Sequence, residues 1–331
     1  MLNCDLRTRL ARVFSLCAFV LLASSPCSSV SAQNAYPNQI VRFIVPFAAG
    51  GLPDTVARII APQLEAKLKQ TIVVENRPGS GGGIAAQALA SAPADGYQFI
   101  ITDNSFLSTS PFIYKQLAYD PKDFITVAQV AHAPLFLAVH PKLPVKSIKE
   151  FIDYVKANPG KVNYGSSGIG TLHHLSMEAL KADQKLDMAH VPFRGTGQSV
   201  PALLGGHVEA LFSAYPSLSG AADGKQVIIL AGNGAKRSGL LPDVPAIAEF
   251  ITGFDFASRI GIFARVGTPE HVLSLISSKV IEVTKEPDVI RRFAIAGIEA
   301  AGSRPEEFRK VLAEETRRVE AAVRAANIQP Q

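Results

Sequence analysis

Paired glycines recur in this chain where a strand-like run gives way to a helix-like one. Val45-Pro46-Phe47-Ala48-Ala49-Gly50-Gly51-Leu52-Pro53-Asp54 leaves an apolar stretch and enters an amphipathic one. Glycines there let the backbone turn and let a ligand approach the N–H groups of the helix start, where the helix dipole favours an anion. The same residues would serve equally as a tight strand-to-helix turn. Tyr164-Gly165-Ser166-Ser167-Gly168-Ile169-Gly170-Thr171 repeats the layout further along, with Ser166, Ser167 and Thr171 adding hydroxyl donors. Two anion-friendly helix starts would then face each other across a cleft.

Other chemistries fit less well. The spacing of Gly165 and Gly170 imitates a phosphate-binding loop, but Thr171 stands where the lysine belongs, which argues against a nucleoside triphosphate. Asn76-Arg77-Pro78-Gly79-Ser80-Gly81-Gly82-Gly83 has Ile84 in place of the third fingerprint glycine, and no acidic residue ends a strand about 20 residues later. It reads as a structural loop, so no cofactor is expected. The chain contains no HExxH and no GxSxG. His173 and His174 open a helix as neighbours, where side chains diverge by about 100° and cannot share one ion. They read as one cleft-edge histidine beside a packed or solvent-facing one, and no metal site is expected.

The elements that must position these residues alternate. Strand candidates are Ile40 to Pro46, Thr71 to Glu75, Gln98 to Thr102, Leu135 to His140, Lys161 to Tyr164, Val208 to Ser213, Gln226 to Ala231 and Arg259 to Arg265, with helices between them. This is the pattern of an α/β protein with mostly parallel sheets. Val56, Ile59, Ile60, Leu64 and Leu68 form one helical face after Pro53, and Phe151, Ile152 and Val155 another after a capping box at Ser147 to Glu150. Ser303 to Glu306 has the same box spacing before a charged helix with an inner stripe of Phe308, Val311, Leu312, Val319 and Val323. The stretches Val127 to His140 and Phe254 to Val266 look like crossings between two lobes, which places 33–134 and 258–331 in lobe one and 135–257 in lobe two.

Residues 1–32 stand apart from that fold. Arg7, Arg9 and Arg12 precede an apolar run from Val13 to Ala23 and a small-residue stretch ending Val30-Ser31-Ala32, the make-up of a secretory signal peptide cleaved near Ala32. Ser24-Ser25-Pro26-Cys27 is a poor lipoprotein site. All three cysteines, Cys4, Cys17 and Cys27, lie in that segment, so the mature chain has no disulfide or thiol ligand. No later run reaches the roughly 18 to 20 apolar residues of a membrane span. Loss of three arginines and one aspartate lowers the formal charge from +5 to +3, with no basic block, which does not suggest nucleic acid. The expectation is a periplasmic, soluble monomer.

Seven short motifs in order carry a resemblance: the Pro46 to Asp54 turn, Glu75 to Gly82, Asp95-Gly96-Tyr97, Tyr119-Asp120-Pro121, Tyr164 to Gly168, His190 to Gly195 and Leu241 to Val244-Pro245. Together they resemble the Bug-type receptors of tripartite tricarboxylate transporters over almost the whole mature chain. The resemblance implies a type II periplasmic-binding-protein fold, two α/β lobes joined by two crossing strands, with a carboxylate gripped between them largely by backbone amides and waters. Carried over, the lobe-one contacts are Phe47, Ala49, Gly50, Gly51, Asp54, Asn104 and Ser105. Those of lobe two are Ser166, Ser167, Gly168, Thr171, His174, Phe193, Arg194, Gly195 and Thr196. Ser213 departs from the acidic residue usual at its place, which adds it to the candidate site and implies a preference for amine-free acids. The function implied is capture of a small organic acid and its delivery to transporter membrane subunits. An exported hydrolase, marked by a nucleophile paired with a base in the cleft, and a sensing protein serving a membrane signalling partner are the rivals.

Overall fold

The computed structural model describes residues 36–47 and 49–330. The expected export segment, with the three cysteines and the expected cleavage site, lies outside the described residues. The chain then runs β1 (Val41–Val45), α1 (Leu52–Leu68), β2 (Ile72–Asn76), α2 (Gly83–Ser91), β3 (Gln98–Asp103), the short turns α3 (Ser105–Ser108) and α4 (Ser110–Ile113), and β4 (Phe124–Ala133). There follow β5 (Leu135–Val139), α5 (Ile148–Ala157), β6 (Val162–Ser166), α6 (Leu172–Gln184), β7 (Met188–Pro192), α7 (Thr196–Leu204), β8 (Ala210–Ala214), α8 (Tyr215–Asp223) and β9 (Ile228–Gly232). The last elements are β10 (Ser258–Arg265), α9 (Glu270–Val283), α10 (Pro287–Ile295), β11 (Glu299–Ala300) and α11 (Pro305–Ala325).

Among the described residues these strands form two sheets, ordered β11-β4-β10-β3-β1-β2 and β7-β6-β8-β5-β9. Each repeats one plan. The lobe's first strand lies between its second and third, parallel to both, and the strand entering from the other lobe runs antiparallel beside the third. This is the type II arrangement. Because connections leave β1 and β6 in opposite directions, the C-terminal ends of these strands are topological switch points, where the loops part and leave a crevice for a ligand.

Burial explains the pattern. In β5, Leu135, Leu137 and Val139 enter one core with α5 and α6, while Phe136 and Ala138 enter another around Leu203, Leu211 and Leu218, so the strand is apolar throughout. Val56, Ile59, Ile60, Leu64 and Leu68 are buried along α1 as their spacing requires. Ser147 caps α5 by accepting the Glu150 N–H at 3.2 Å. The box before α11 is displaced by one residue. Glu307 accepts the Arg304 N–H at 3.0 Å, whereas the Ser303 hydroxyl accepts from Gln129 of β4 at 3.3 Å. Sheet pairing has taken Ser303 away from the helix.

Only Pro134 separates β4 in one sheet from β5 in the other. The outgoing and returning crossings are clasped by Asn233, which is wholly buried; its Oδ1 accepts the Leu135 N–H and its Nδ2 donates to the Phe256 carbonyl, both at 2.8 Å. A third connection is the C-terminal helix. Phe308 and Leu312 pack with Phe263 of β10, where Gly261 leaves the room, since a Cβ there would lie 2.2 Å from the Phe308 ring. Val319, Ala322 and Val323 join the core of the second sheet. The helix therefore serves both lobes rather than the first alone. No helix among the described residues is long and apolar enough to cross a membrane.

Candidate ligand-binding cleft

The two switch points open onto one cleft of about 530 Å³, inside the size range of small-molecule sites. Phe47 and Leu52 line it from the β1 end, and Asp103 and Ser105 from the β3 end. Ser167, Gly170, Thr171 and His173 come from the β6 end, Thr196 from the β7 end, and Ala214 and Ser217 from the β8 end. Ala133, Leu135 and Ser258 bring in the crossings.

Four helices start at this cleft: α1, α6, α7 and α8. The first-turn N–H groups of a helix have no intrahelical acceptor and carry a partial positive charge. Thr171 caps α6 by accepting the His174 N–H at 3.4 Å, but no side chain caps α1, α7 or α8. No lysine or arginine lines the cleft among the described residues. An anion entering it therefore meets backbone N–H groups and hydroxyls rather than a guanidinium or ammonium.

The β1–α1 turn is held from beneath. Asp54 is 2% exposed and accepts the Gly50 N–H at 2.8 Å, Arg58 Nε at 3.0 Å and Asn76 Nδ2 at 2.9 Å. Burial pushes its carboxyl up, but the bonds from Arg58, Gly50 and Asn76 outweigh burial and hold it below its ordinary value. Asn76 also donates to the Phe47 carbonyl at 3.1 Å. Asp54, an expected ligand contact, is not among the residues that line the cleft. Its oxygens are occupied in shaping the turn, and they take the Gly50 N–H that the ligand was expected to use. Ala49, Gly50 and Gly51 form the bend between Phe47 and Leu52, with Gly50 at φ +85°.

The second-lobe loop rests on a pile of aromatic rings. His174 stacks on His190 with centroids 3.9 Å apart, and His190 on Tyr164 at 4.8 Å. His174 Nδ1 accepts the Gly170 N–H at 3.1 Å, and His190 Nε2 lies 2.7 Å from Ser166 Oγ. Burial lowers both imidazoles, His190 to about 4, so they are neutral and able to accept. Hence His174 and Ser166, both buried, support the loop from the core side. Its neighbour His173 is the one at the cleft, 2.8 Å through Nδ1 from Ser167 Oγ and lowered to about 4 by burial.

Other expected contacts are also displaced. Asn104 is wholly buried; its Oδ1 accepts the Arg259 N–H at 3.0 Å and its Nδ2 donates to Glu315, so it belongs to a polar hub where β3, β10 and α11 meet. Arg194 is exposed and Phe193 packs on Gly165 and the core, neither lining the cleft. Gly168 turns the loop at φ +133°, its carbonyl accepting from Thr171 at 2.8 Å, and Gly195 precedes α7 at φ +128°. Ser213 is wholly buried between β5 and β6, its hydroxyl without a partner, and does not reach the cleft because strand alternation turns it toward Phe136.

The family model described as tripartite tricarboxylate transporter family receptor matches residues 56–328. The chain belongs to this family. BugT of Bordetella pertussis is 30% identical over 312 residues, covering 92% of this chain and 94% of that protein. Among solved structures, Rpa4515 of R. palustris with adipate has 32% identity and a TM-score of 0.74, covering 89% of this chain and 100% of that one. MatC (Rpa3494) from Rhodopseudomonas palustris with bound malate has 31% identity and a TM-score of 0.67, covering 87% and 100%. In this family receptor, Phe47, Ser105, Ser167, Thr171 and Thr196 are the expected residues that line the cleft. Asp103, Thr109, Ser110, Ser217 and Ser258 line it without having been expected, and His173 rather than His174 is the cleft-edge histidine of the pair. Asp103 had a visible signal, an acid closing the apolar run Gln98-Phe99-Ile100-Ile101-Thr102. It ends β3 about 20 residues after Gly83, which corrects the expectation that no acidic residue ends a strand there; Ile84 still stands in place of the third fingerprint glycine.

Proposed function

We propose that this family receptor is exported to the periplasm, closes on a small organic carboxylate between its lobes, and hands it to the membrane subunits of a tripartite tricarboxylate-type transporter. The observation that carries this reading is the convergence of four helix starts on one cleft that no lysine or arginine among the described residues lines, which suits a carboxylate held by backbone N–H groups. Adipate and malate, the acids named with two similar structures, fit such a grip. Mass spectrometry of material released by denaturing gently purified protein, followed by calorimetric titration of the compound found, tests it. Recovery of a compound without an acidic group would overturn it. Intact mass of the periplasmic form tests export, with cleavage near Ala32 expected.

One observation favours a hydrolase instead, namely the Ser167–His173 pair at 2.8 Å in the cleft. Two features weigh against it. No carboxylate is bonded to the His173 ring among the described residues, and an imidazole lowered to about 4 is a poor general base at neutral pH. Ser167→Ala should leave no hydrolytic activity to lose. Ester turnover by the wild type that disappears in this variant would restore the enzymatic reading.

A further inference from the structure

Asp103 closes β3 at the switch point of the first sheet and lines the cleft. Its Oδ1 accepts the Ser105 N–H at 2.9 Å and also the Ser105 hydroxyl, which fixes the carboxyl in place. It is the only Asp, Glu, Lys or Arg among the described residues that line the cleft. His173, the histidine that lines the cleft, is lowered to about 4 by burial and is neutral at pH 7. The cavity thus combines four positive helix starts with one carboxyl that no protein cation faces. A bare carboxylate ligand would be attracted to the first and repelled by the second, whereas a ligand carrying both signs would satisfy both.

We propose that the ligand is a zwitterionic acid whose carboxylate lies at the helix starts and whose ammonium group pairs with Asp103. The inference rests on the carboxylate-receptor reading and narrows its ligand class. It replaces the expectation drawn from Ser213, since the acidic group that reads the ligand stands on the other lobe. Burial holds the Asp103 carboxyl above its ordinary value despite the two bonds from Ser105, and an arriving ammonium group removes much of that cost by supplying the missing charge. A hydroxyl in the same place could donate one bond but brings no charge.

The test is calorimetric titration of the full mature protein with two matched sets of acids, succinate, malate and aspartate, and adipate, 2-hydroxyadipate and 2-aminoadipate. In at least one set the amino acid should bind at least tenfold more tightly than both of its counterparts. Asp103→Asn, which keeps size and the Ser105 contacts, should erase that preference from both sides, weakening the amino acid by at least tenfold as the charge-assisted contact is lost and tightening the amine-free acids as the repulsion is removed. Tightest binding of an amine-free or hydroxy acid in both sets by the wild type would overturn the inference and leave the carboxylate-receptor reading standing. The inference also falls, with that reading intact, if Asp103→Asn binds normally but preserves the amine preference. Failure of every acid to bind would overturn both. The wild-type ranking is decisive even if the variant folds poorly.

Discussion

Gly170 offers a way to perturb lobe closure without touching a polar contact. It sits in the second-lobe loop at φ +76°, and a Cβ built there would lie 2.2 Å from Ile113 Cδ1 and 3.2 Å from its Cγ2, on the opposing lobe. Gly170→Ala has two separable costs. Left-handed backbone in a residue with a side chain costs about 1–2 kcal/mol, but equally in open and closed forms, so it lowers the melting temperature without weakening binding. The clash exists only when the lobes are together. Overpacking of this kind costs about 1–3 kcal/mol, and at 1.4 kcal/mol per tenfold the affinity should fall by roughly 5- to 150-fold. Ile113 lines the cleft itself, so the readout is the coupling between positions rather than either single loss. Calorimetric titration of wild type, Gly170→Ala, Ile113→Ala and the double variant with the recovered ligand supplies it. The double variant should bind better than Gly170→Ala alone. If it is as weak, or if Gly170→Ala binds like wild type, the contact does not belong to the bound state and the reasoning is refuted.

Three further outcomes follow from buried polar groups. Glu315 is 1% exposed and holds Arg259 at 3.0 Å and the Ser108 hydroxyl at 2.7 Å, so Glu315→Ala should destabilise by about 3–5 kcal/mol in urea unfolding, the range for breaking a buried pair. The imidazoles His173, His174 and His190 all have folded values below the ordinary 6.5, so the fold prefers them neutral. That stability is fully present above about pH 6.5 and is lost as pH falls through the folded values, about 4 for His173 and His190. His190 alone contributes on the order of 2 kcal/mol after allowance for its partial exposure, and melting curves of His190→Gln should be correspondingly flatter over this window. Ser213→Asp should destabilise the second lobe by several kcal/mol, because it buries an unpaired charge; an unchanged melting temperature with altered ligand ranking would show that the position reads the ligand after all.

The placement of the loops was legible in the sequence because glycine pairs and apolar runs are read along the chain. Val45 to Leu52 and Tyr164 to Thr171 end strands and start helices, and the fold brings both to one cleft. The strands β4 and β7 were harder to see. Met188-Ala189-His190-Val191-Pro192 ends in proline and carries a histidine, and it pairs only because β6 offers a parallel edge. Which of two neighbours faces the ligand was not legible, since it depends on what lies behind them. His174 is drawn inward by His190 and by the Gly170 N–H, which turns His173 outward. Asn104 is drawn toward Arg259 and Glu315, partners 155 and 211 residues away, and leaves Asp103 and Ser105 at the surface of the cleft. Glu315 itself betrays the hub, as an acid on the helical stripe of Leu312 and Val319 where an apolar residue would be expected. A buried acid of this kind needs a cation from elsewhere in the chain, and the one it finds, Arg259, stands on the returning crossing. The same ion pair therefore joins the middle of the C-terminal helix to the returning crossing and, through Asn104, to the end of β3, where Asp103 lines the cleft.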